Sequence, residues 1–141
     1  MNKKKILFVH QNFPGQFKFL ATALKDKHDV QTLSISDSPY KDIIHHKYEL
    51  PHESTKNIFI LAAEFEAKAI RGYGVATKCL ELKEKGYVPD LIICHPGWGE
   101  AFFLKAVWPD TKMLSYFEFY YRADGLDVDF DLDEQEAPEK D

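Results

Sequence analysis

A histidine, two glycines, a tryptophan and a carboxylate follow a short apolar run in the stretch Ile93-Cys94-His95-Pro96-Gly97-Trp98-Gly99-Glu100. Histidine titrates near pH ~6.5, so His95 could act as a base, a hydrogen-bond donor or a phosphate partner. It could also be a core histidine bonded to backbone. Gly97 and Gly99 predict a close approach of backbone. Trp98 between them offers a flat face for a sugar ring, although an isolated tryptophan is more often part of a core.

Two carboxylates extend this set of candidate site residues. Glu100 stands at the start of a predicted helix, where the helix dipole explains a carboxylate as well as a ligand would. Glu118 is flanked by Phe117 and Phe119 at the end of a predicted strand. It either points into the same crevice as His95 or pairs with Arg122, and the sequence does not separate these alternatives.

A second polar stretch, residues 10–15, follows the first apolar run of the chain. Gly15 opens a predicted helix, so the free backbone N–H groups of Gly15, Gln16 and Phe17 form a potential anion site. A simple turn glycine is the alternative. Asn12 could bind a ligand, but capping of the helix is favoured. The stretch is not the GxGxxG motif of dinucleotide-binding proteins.

Continuous apolar runs and helical stripes supply the elements that must position these residues. Five strands are predicted, and the third is placed at an edge because it is rich in His, Lys and Glu. They are Ile6–Val9, Val30–Ile35, Ile43–Leu50, Leu91–Cys94 and Lys112–Tyr116.

Three helices alternate with these strands. The first follows Gly15 and ends in Lys25–His28, and the third starts at Glu100 and is apolar nearly all round, which predicts burial. The second carries an apolar stripe from Ile58 to Leu80. Gly72-Tyr73-Gly74 lies inside it and predicts a kink or a junction of two helices, where another backbone packs close.

This alternation predicts an α/β fold, a Rossmann-like three-layer sandwich around a mainly parallel sheet. With strand order 3-2-1-4-5, the order reverses between Ile6–Val9 and Leu91–Cys94. Ligands of such sheets bind at the carboxyl ends of the strands beside this reversal. The stretches after these two strands, residues 10–15 and 95–100, are therefore predicted to face one crevice.

Length and charge predict one domain, residues 1–123, followed by an acidic loop or tail, residues 124–141. The chain has 141 residues and a net charge of -5. Residues 124–141 hold nine acids and one base, which leaves 17 bases against 14 acids before them. Such a weak positive balance does not indicate a nucleic-acid partner.

Cysteine usage and hydropathy predict a cytoplasmic protein with no membrane span. The two cysteines, Cys79 and Cys94, have no CxxC spacing and are read as buried core residues. Lys3-Lys4-Lys5 precedes an apolar run too short for a signal peptide, and no segment approaches ~18 apolar residues.

Two groups that resemble metal sites do not predict a metal. The alternating aspartates lack the glycine turn and terminal glutamate of a calcium loop. The histidines of the third strand region lack a ligand spacing and are predicted to lie on its surface. These groups are Asp127, Asp129, Asp131 and Asp133, and His45, His46 and His52.

Three separated motifs together resemble the N-terminal domain of bacterial family 4 (group 1) glycosyltransferases. They are Ile6 through Phe17, Pro89 through Glu100, and Tyr116 through Arg122. The resemblance runs to about Asp131. It implies the GT-B architecture, in which two Rossmann-like domains face each other across a cleft, and the N-terminal half mainly binds the acceptor.

The resemblance also implies a reaction. The sugar would come from a nucleotide-sugar co-substrate held by a C-terminal donor-binding domain, with retention of anomeric configuration and neither a cofactor nor a required metal. Gly15 matches a glycine that approaches donor phosphate or acceptor, and His95 matches a histidine near the transferred sugar. A donor domain is absent from these 141 residues, so the chain alone is expected to be inactive.

Two other functions fit the same residues. The crevice could belong to a stand-alone binding module for a nucleotide or a phosphorylated ligand, without turnover. It could also be completed by a separately encoded donor domain.

Overall fold

The computed structural model describes residues 2–118 of the chain. Their nine elements follow one another as the alternating apolar pattern predicts. They are β1 (Lys5–Val9), a 3₁₀ turn (Gly15–Phe17), α1 (Lys18–Lys25), β2 (Asp29–Ser34), β3 (Ile44–Lys47), α2 (Ile60–Glu84), β4 (Leu91–Cys94), α3 (Leu104–Val107) and β5 (Lys112–Ser115).

The five strands form one parallel sheet in the order β3-β2-β1-β4-β5, which confirms the predicted strand order. The predicted edge position of β3 is also confirmed. Strands β1 and β4 pair in the register Val9↔Cys94, so they end level with each other. The residues that follow them therefore emerge side by side at the point where the strand order reverses.

Each face of the sheet has its own apolar core, so the three-layer sandwich is confirmed. Successive side chains of a strand point to opposite faces. On β1, Leu7 and Val9 pack in the core beneath α2, whereas Ile6 and Phe8 pack in the core beneath α1. Strands β1 and β4, at the centre of the sheet, are buried on both sides, which is why they appear in the sequence as apolar runs.

Helix α2 is one continuous helix of 25 residues, so the predicted junction of two helices was wrong. The prediction that another backbone packs close is confirmed at both glycines. A Cβ on Gly72 would lie 2.7 Å from the carbonyl oxygen of Gly99, and one on Gly74 would lie 2.3 Å from that of Glu49. Close packing of two loops offsets the helix propensity that these glycines lack.

The third helix starts later than the predicted Glu100, and the residues around its start are less buried than predicted. Residues 100–103 form turns, and α3 spans only Leu104–Val107. Phe102 and Phe103 remain partly exposed. A segment that is apolar at nearly every position has no helical periodicity. The sequence therefore could not show where the helix starts or which face it buries.

Candidate functional site

His10 and His95 lie side by side at the carboxyl edge of the sheet, and we call them the histidine pair. His10 directly follows β1 and His95 directly follows β4, and their ring centroids are 5.3 Å apart. Their backbones continue the sheet, since His95 N–H donates to Val9 O and His10 N–H donates to Leu33 O, both at 3.1 Å. Both side chains are buried.

Backbone hydrogen bonds set the protonation of each ring nitrogen in the pair. The N–H of Asn12 donates to Nδ1 of His10 at 2.9 Å, and that of Gly97 donates to Nδ1 of His95 at 3.3 Å. A backbone N–H can only donate, so both Nδ1 atoms are acceptors and each neutral ring carries its proton on Nε2. The two histidines therefore present Nε2–H donors.

The two Nε2–H donors meet different surroundings. Nε2 of His10 lies 2.6 Å from Oε1 of Gln16, which accepts its proton in a hydrogen bond. Nε2 of His95 is buried and has no hydrogen-bond partner among residues 2–118. The carboxylate Oε2 of Glu118 lies 3.4 Å away, within ion-pair distance but outside hydrogen-bonding geometry. His95 thus has the free donor of the pair.

Burial favours the neutral form of His10. Removal from water lowers its pKa, and the neighbouring His95 lowers it further. The hydrogen bond to Gln16 and the charges of Glu100 and Glu118 act in the opposite direction but do not overcome burial. A positive charge on both imidazole rings at the same time is therefore disfavoured.

Two of the candidate glycines leave room for the imidazole rings. A Cβ on Gly15 would lie 2.5 Å from the ring of His10, and its φ of 43° is one that other residues rarely adopt. A Cβ on Gly97 would lie 2.8 Å from Cε1 of His95. Both positions need glycine to seat a histidine, whether or not a ligand also approaches them.

The other glycine of the second loop, Gly99, faces away from solvent. Its φ is 105°, and a Cβ there would lie 2.2 Å from the carbonyl oxygen of Lys68 in α2. Its neighbour Trp98 is 48% exposed, so it is not a core tryptophan. The carbonyl of Trp98 accepts a hydrogen bond from Nη1 of Arg71 at 3.1 Å, which ties this loop to α2 a second time.

The first loop forms hydrogen bonds within itself and with the segment after β2. The Oδ1 of Asn12 accepts a hydrogen bond from Oγ of Ser36 at 2.8 Å, and no side chain caps the 3₁₀ turn or α1. The favoured capping role of Asn12 was therefore wrong. The Phe17 N–H donates to Pro14 O at 2.8 Å. Of the predicted anion site, the N–H groups of Gly15 and Gln16 remain as candidates.

Glu100 does not cap a helix and is fully buried. Its Oε1 accepts a hydrogen bond from the hydroxyl of Tyr48 at 2.8 Å, and its Oε2 has no partner among the described residues. Glu118, in contrast, is half-exposed, and its Oε2 lies 3.4 Å from Nε2 of His95. Arg122 and the acidic residues 124–141 lie outside the described residues.

The histidines predicted to lie on the surface of the β3 region are partly engaged with β2. His46 contacts Oε1 of Gln31 at 2.8 Å, and His45 contacts Oγ1 of Thr32 at the same distance, whereas His52 is exposed. Within residues 2–118, no three His, Cys, Asp or Glu side chains are close enough together to hold a metal ion.

The cavities that border α2 lie apart from the histidine pair. One of about 550 Å³ is lined by residues of α2 together with Pro51, His52 and Phe103. Another of about 460 Å³ lies between the end of β3 and the same helix. Neither is lined by His10 or His95.

Sequence reasoning missed two residues of this region, His10 and Tyr48. His10 occupies the same position after β1 that His95 occupies after β4, and this equivalence was the signal that could have revealed it. Tyr48 carried no such signal, because its partner Glu100 is 52 residues away.

The profile of the glycosyl transferase family 4 group matches residues 22–141, which is well over half of the chain. The chain belongs to this family. The matched segment of this family 4 chain includes His95 and Glu118 but begins after His10. No curated protein matches the chain.

Solved structures support the fold of this family 4 chain. It is similar to two crystal structures of the C-terminal domain of a hydrogenase from Pyrococcus furiosus, both at 21% identity. The TM-scores are 0.56 and 0.52, over 83% and 82% of this chain and 95% of each of those chains. At this identity, the likeness shows a shared fold alone.

Within residues 2–118 of this family 4 chain, every helix lacks the length or the apolar character needed to span a bilayer.

Proposed function

We propose that this chain is the acceptor-side domain of a retaining glycosyltransferase that uses a nucleotide-sugar and no metal. Membership of the glycosyl transferase family 4 group supports the transferase class. The observation that carries the proposal is the buried Nε2–H of His95, which has no hydrogen-bond partner among residues 2–118 and lies 3.4 Å from the Glu118 carboxylate. An unpaired buried donor costs stability, so a ligand that pairs with it would bind favourably.

A hydroxyl group suits this position better than a phosphate. It can accept a hydrogen bond from Nε2–H of His95 and donate its own proton to Glu118. The carboxylate would repel a phosphate brought equally close. In the proposed reaction, His95 hydrogen-bonds an acceptor hydroxyl at the transfer centre. The oxygen of this hydroxyl forms the new bond to the anomeric carbon as the nucleoside diphosphate leaves, and Glu118 orients the hydroxyl and takes up its proton.

The surrounding candidate residues would line the acceptor side of the cleft. The exposed ring of Trp98 offers a flat apolar face for a sugar, and Gly97 lets the backbone approach it. Asn12, Gly15 and Gln16 border the same edge, where the N–H groups of Gly15 and Gln16 favour an anionic group. Arg122 would complete this wall.

Membership of the glycosyl transferase family 4 group supports a second domain across a cleft from this one. We therefore propose that a C-terminal donor-binding domain of the same protein faces the histidine pair and brings the nucleotide-sugar, and that the reaction takes place in the cytoplasm. Residues 124–141 would lead into that domain. Acceptor and sugar specificity would be divided between the two sides.

The test compares the gene product that contains this chain with residues 1–141 alone. Each is incubated with a panel of UDP-, GDP- and ADP-sugars, and release of nucleoside diphosphate and transfer of labelled sugar are measured. We expect turnover by the longer protein only. His95→Ala should abolish most of it, whereas the exposed His52→Ala is the matched control and should not.

Two results would contradict the proposal. Transfer by residues 1–141 alone would refute the division into two domains. Tight binding of a nucleotide or phosphorylated ligand, with no turnover of any donor by the longer protein, would instead support a non-catalytic binding module.

A further inference from the structure

The polar pair formed by Tyr48 and Glu100 lies inside the fold and has no part in the site described above. Both side chains are almost completely buried, and the Tyr48 hydroxyl donates to Oε1 of Glu100 at 2.8 Å. A buried carboxylate is costly unless hydrogen bonds compensate it, and here the second oxygen has no partner among the described residues. The stability cost of burying the Glu100 carboxylate indicates that this residue has a function.

Helix α2 brings the two residues together. The carbonyl of Gly99, beside Glu100, rests on Gly72, and the carbonyl of Glu49, beside Tyr48, rests on Gly74. The segment after β3 and the loop after β4 therefore both pack against α2, at glycines two residues apart. The Tyr48–Glu100 hydrogen bond joins the two seated segments directly.

The same loop determines the orientation of His95. It begins at His95 and ends at Glu100, and the N–H of Gly97 within it holds Nδ1 of His95. Space at Gly97 is so limited that a Cβ would lie 2.8 Å from the imidazole. Any shift of the loop path would therefore turn or displace the ring.

The donor role of Tyr48 is secured by its surroundings. Burial, and then the negative charge of Glu100, raise the pKa of the Tyr48 hydroxyl, so it keeps its proton and donates at neutral pH. Arg71, the nearby cation, opposes this shift only partly. Glu100 is therefore held by a permanent donor.

We infer that Glu100 is a positioning residue: through Tyr48 it fixes the loop from His95 to Glu100, so that Nε2 of His95 faces Glu118. It does not contact substrate. The expected effect on kcat rests on the proposed function. The expected effect on the orientation of the His95 ring does not.

The experiment compares Tyr48→Phe, Glu100→Gln and Glu100→Ala in protein with ¹⁵N-labelled histidine. Ring ¹⁵N and ¹H shifts of His95 are recorded by NMR, and its signals are assigned from their loss in His95→Gln. Thr111→Val is the matched control, because Thr111 Oγ1 also makes a buried hydrogen bond, at 3.0 Å to Pro89 O, before β5. Thermal unfolding is measured for every variant.

We expect Tyr48→Phe and Glu100→Ala to move the His95 signals, while Glu100→Gln, which keeps an acceptor for Tyr48, restores them towards wild type. Thr111→Val should lower stability and leave these signals in place. In the longer protein, Tyr48→Phe should lower kcat by ~10-fold or more with little change in KM, because small misplacements of a reacting group are costly.

Several outcomes would overturn the inference. Unchanged His95 signals in Tyr48→Phe, together with a loss of stability like that of Thr111→Val, would make the pair purely structural. A rise in KM in Glu100→Gln with unmoved His95 signals would make Glu100 a substrate contact. Tyr48→Phe changes one oxygen only, so it tests the inference even if Glu100→Ala fails to fold. If no donor is turned over, the proposed function fails, but the NMR comparison still decides whether Glu100 positions His95.

Discussion

The loops after β1 and β4 are built alike around a histidine, yet they differ in what the second ring nitrogen meets. In both, Nδ1 accepts the N–H of the residue two positions later, and a glycine leaves space beside the ring. In the β1 loop, residues 10–15, Gln16 satisfies Nε2 of His10. In the β4 loop, residues 95–100, Nε2 of His95 has no hydrogen-bond partner among the described residues.

Anchoring of the two loops differs as well. The β4 loop is fixed to α2 by the contact of Gly99 with Lys68, and to the segment after β3 by the hydrogen bond of Glu100 with Tyr48. In the β1 loop, Gly15 is exposed and the obstacle to a side chain there is the ring of His10 itself. The β1 loop is bonded instead to the segment after β2, where Ser36 Oγ donates to Oδ1 of Asn12. Of the two glycines, only Gly99 packs against the backbone of a helix, and it lies in the loop with the free donor.

The largest expected difference between the loops is kinetic. His95→Ala should lower kcat of sugar transfer by ~10²-fold or more, the size of loss typical when one preorganised donor is removed. His10→Ala should lower kcat by less than ~10-fold, because the Nε2–H of His10 is already hydrogen-bonded to Gln16. Steady-state transfer assays on the gene product that contains this chain measure both.

Equal losses in the two variants would show that the histidine pair acts as a unit, and the distinction between an occupied and a free donor would have to be abandoned. His52→Ala serves as the control for histidine removal as such.

The second prediction concerns anchoring. Gly99→Ala should destabilise the fold by about 3 kcal/mol, because its Cβ meets the backbone of Lys68 in a conformation that already disfavours side chains. Gly15→Ala should cost less, since the His10 ring can turn aside. Gly86→Ala, with a φ of 84° and open space around it, isolates the conformational cost alone. Urea unfolding measures all three, and a cost at Gly15 equal to that at Gly99 would contradict the difference in anchoring.

The centre of the sheet could be predicted from sequence because β1 and β4 are short, buried runs of apolar residues. Residues 91–94 are apolar on both faces, so the strand could be located without knowledge of its partners. The strand order followed from the alternation with helices and from the rules for parallel crossovers. These are local signals combined with general constraints.

The parts that could not be predicted depend on contacts between distant residues. The glycines of α2 indicated a break until Gly99 and Glu49 were found packed against them. Glu100 resembled a residue at a helix start, because nothing nearby in sequence reveals the Tyr48 hydroxyl. The partners of the histidine pair were likewise not apparent, so the sequence indicated where a site would be but not which donor was free.

The third prediction removes the partner of His10. Gln16→Ala should destabilise the protein by about 1 kcal/mol, the usual net value of a hydrogen bond, since water can replace an exposed glutamine. Sugar transfer should change little. Gln11→Ala in the same loop is the matched control, and urea unfolding with transfer assays measures both variants. A loss of transfer in Gln16→Ala as large as that in His95→Ala would assign the β1 loop a direct catalytic role.

The smallest expected effect is a dependence of stability on pH that originates in the β1 loop. Burial, and then the neighbouring His95, lower the pKa of His10 despite the opposing charges of Glu100 and Glu118. Below the ordinary histidine pKa of ~6.5, the unfolded chain binds a proton that folded His10 resists, so the free energy of unfolding falls as pH decreases. His46, whose pKa is also lowered by burial, contributes in the same direction. Urea unfolding between pH 7.5 and 5.5 should therefore show a shallower decline in His10→Gln than in wild type, and an unchanged slope would refute the burial of a neutral His10.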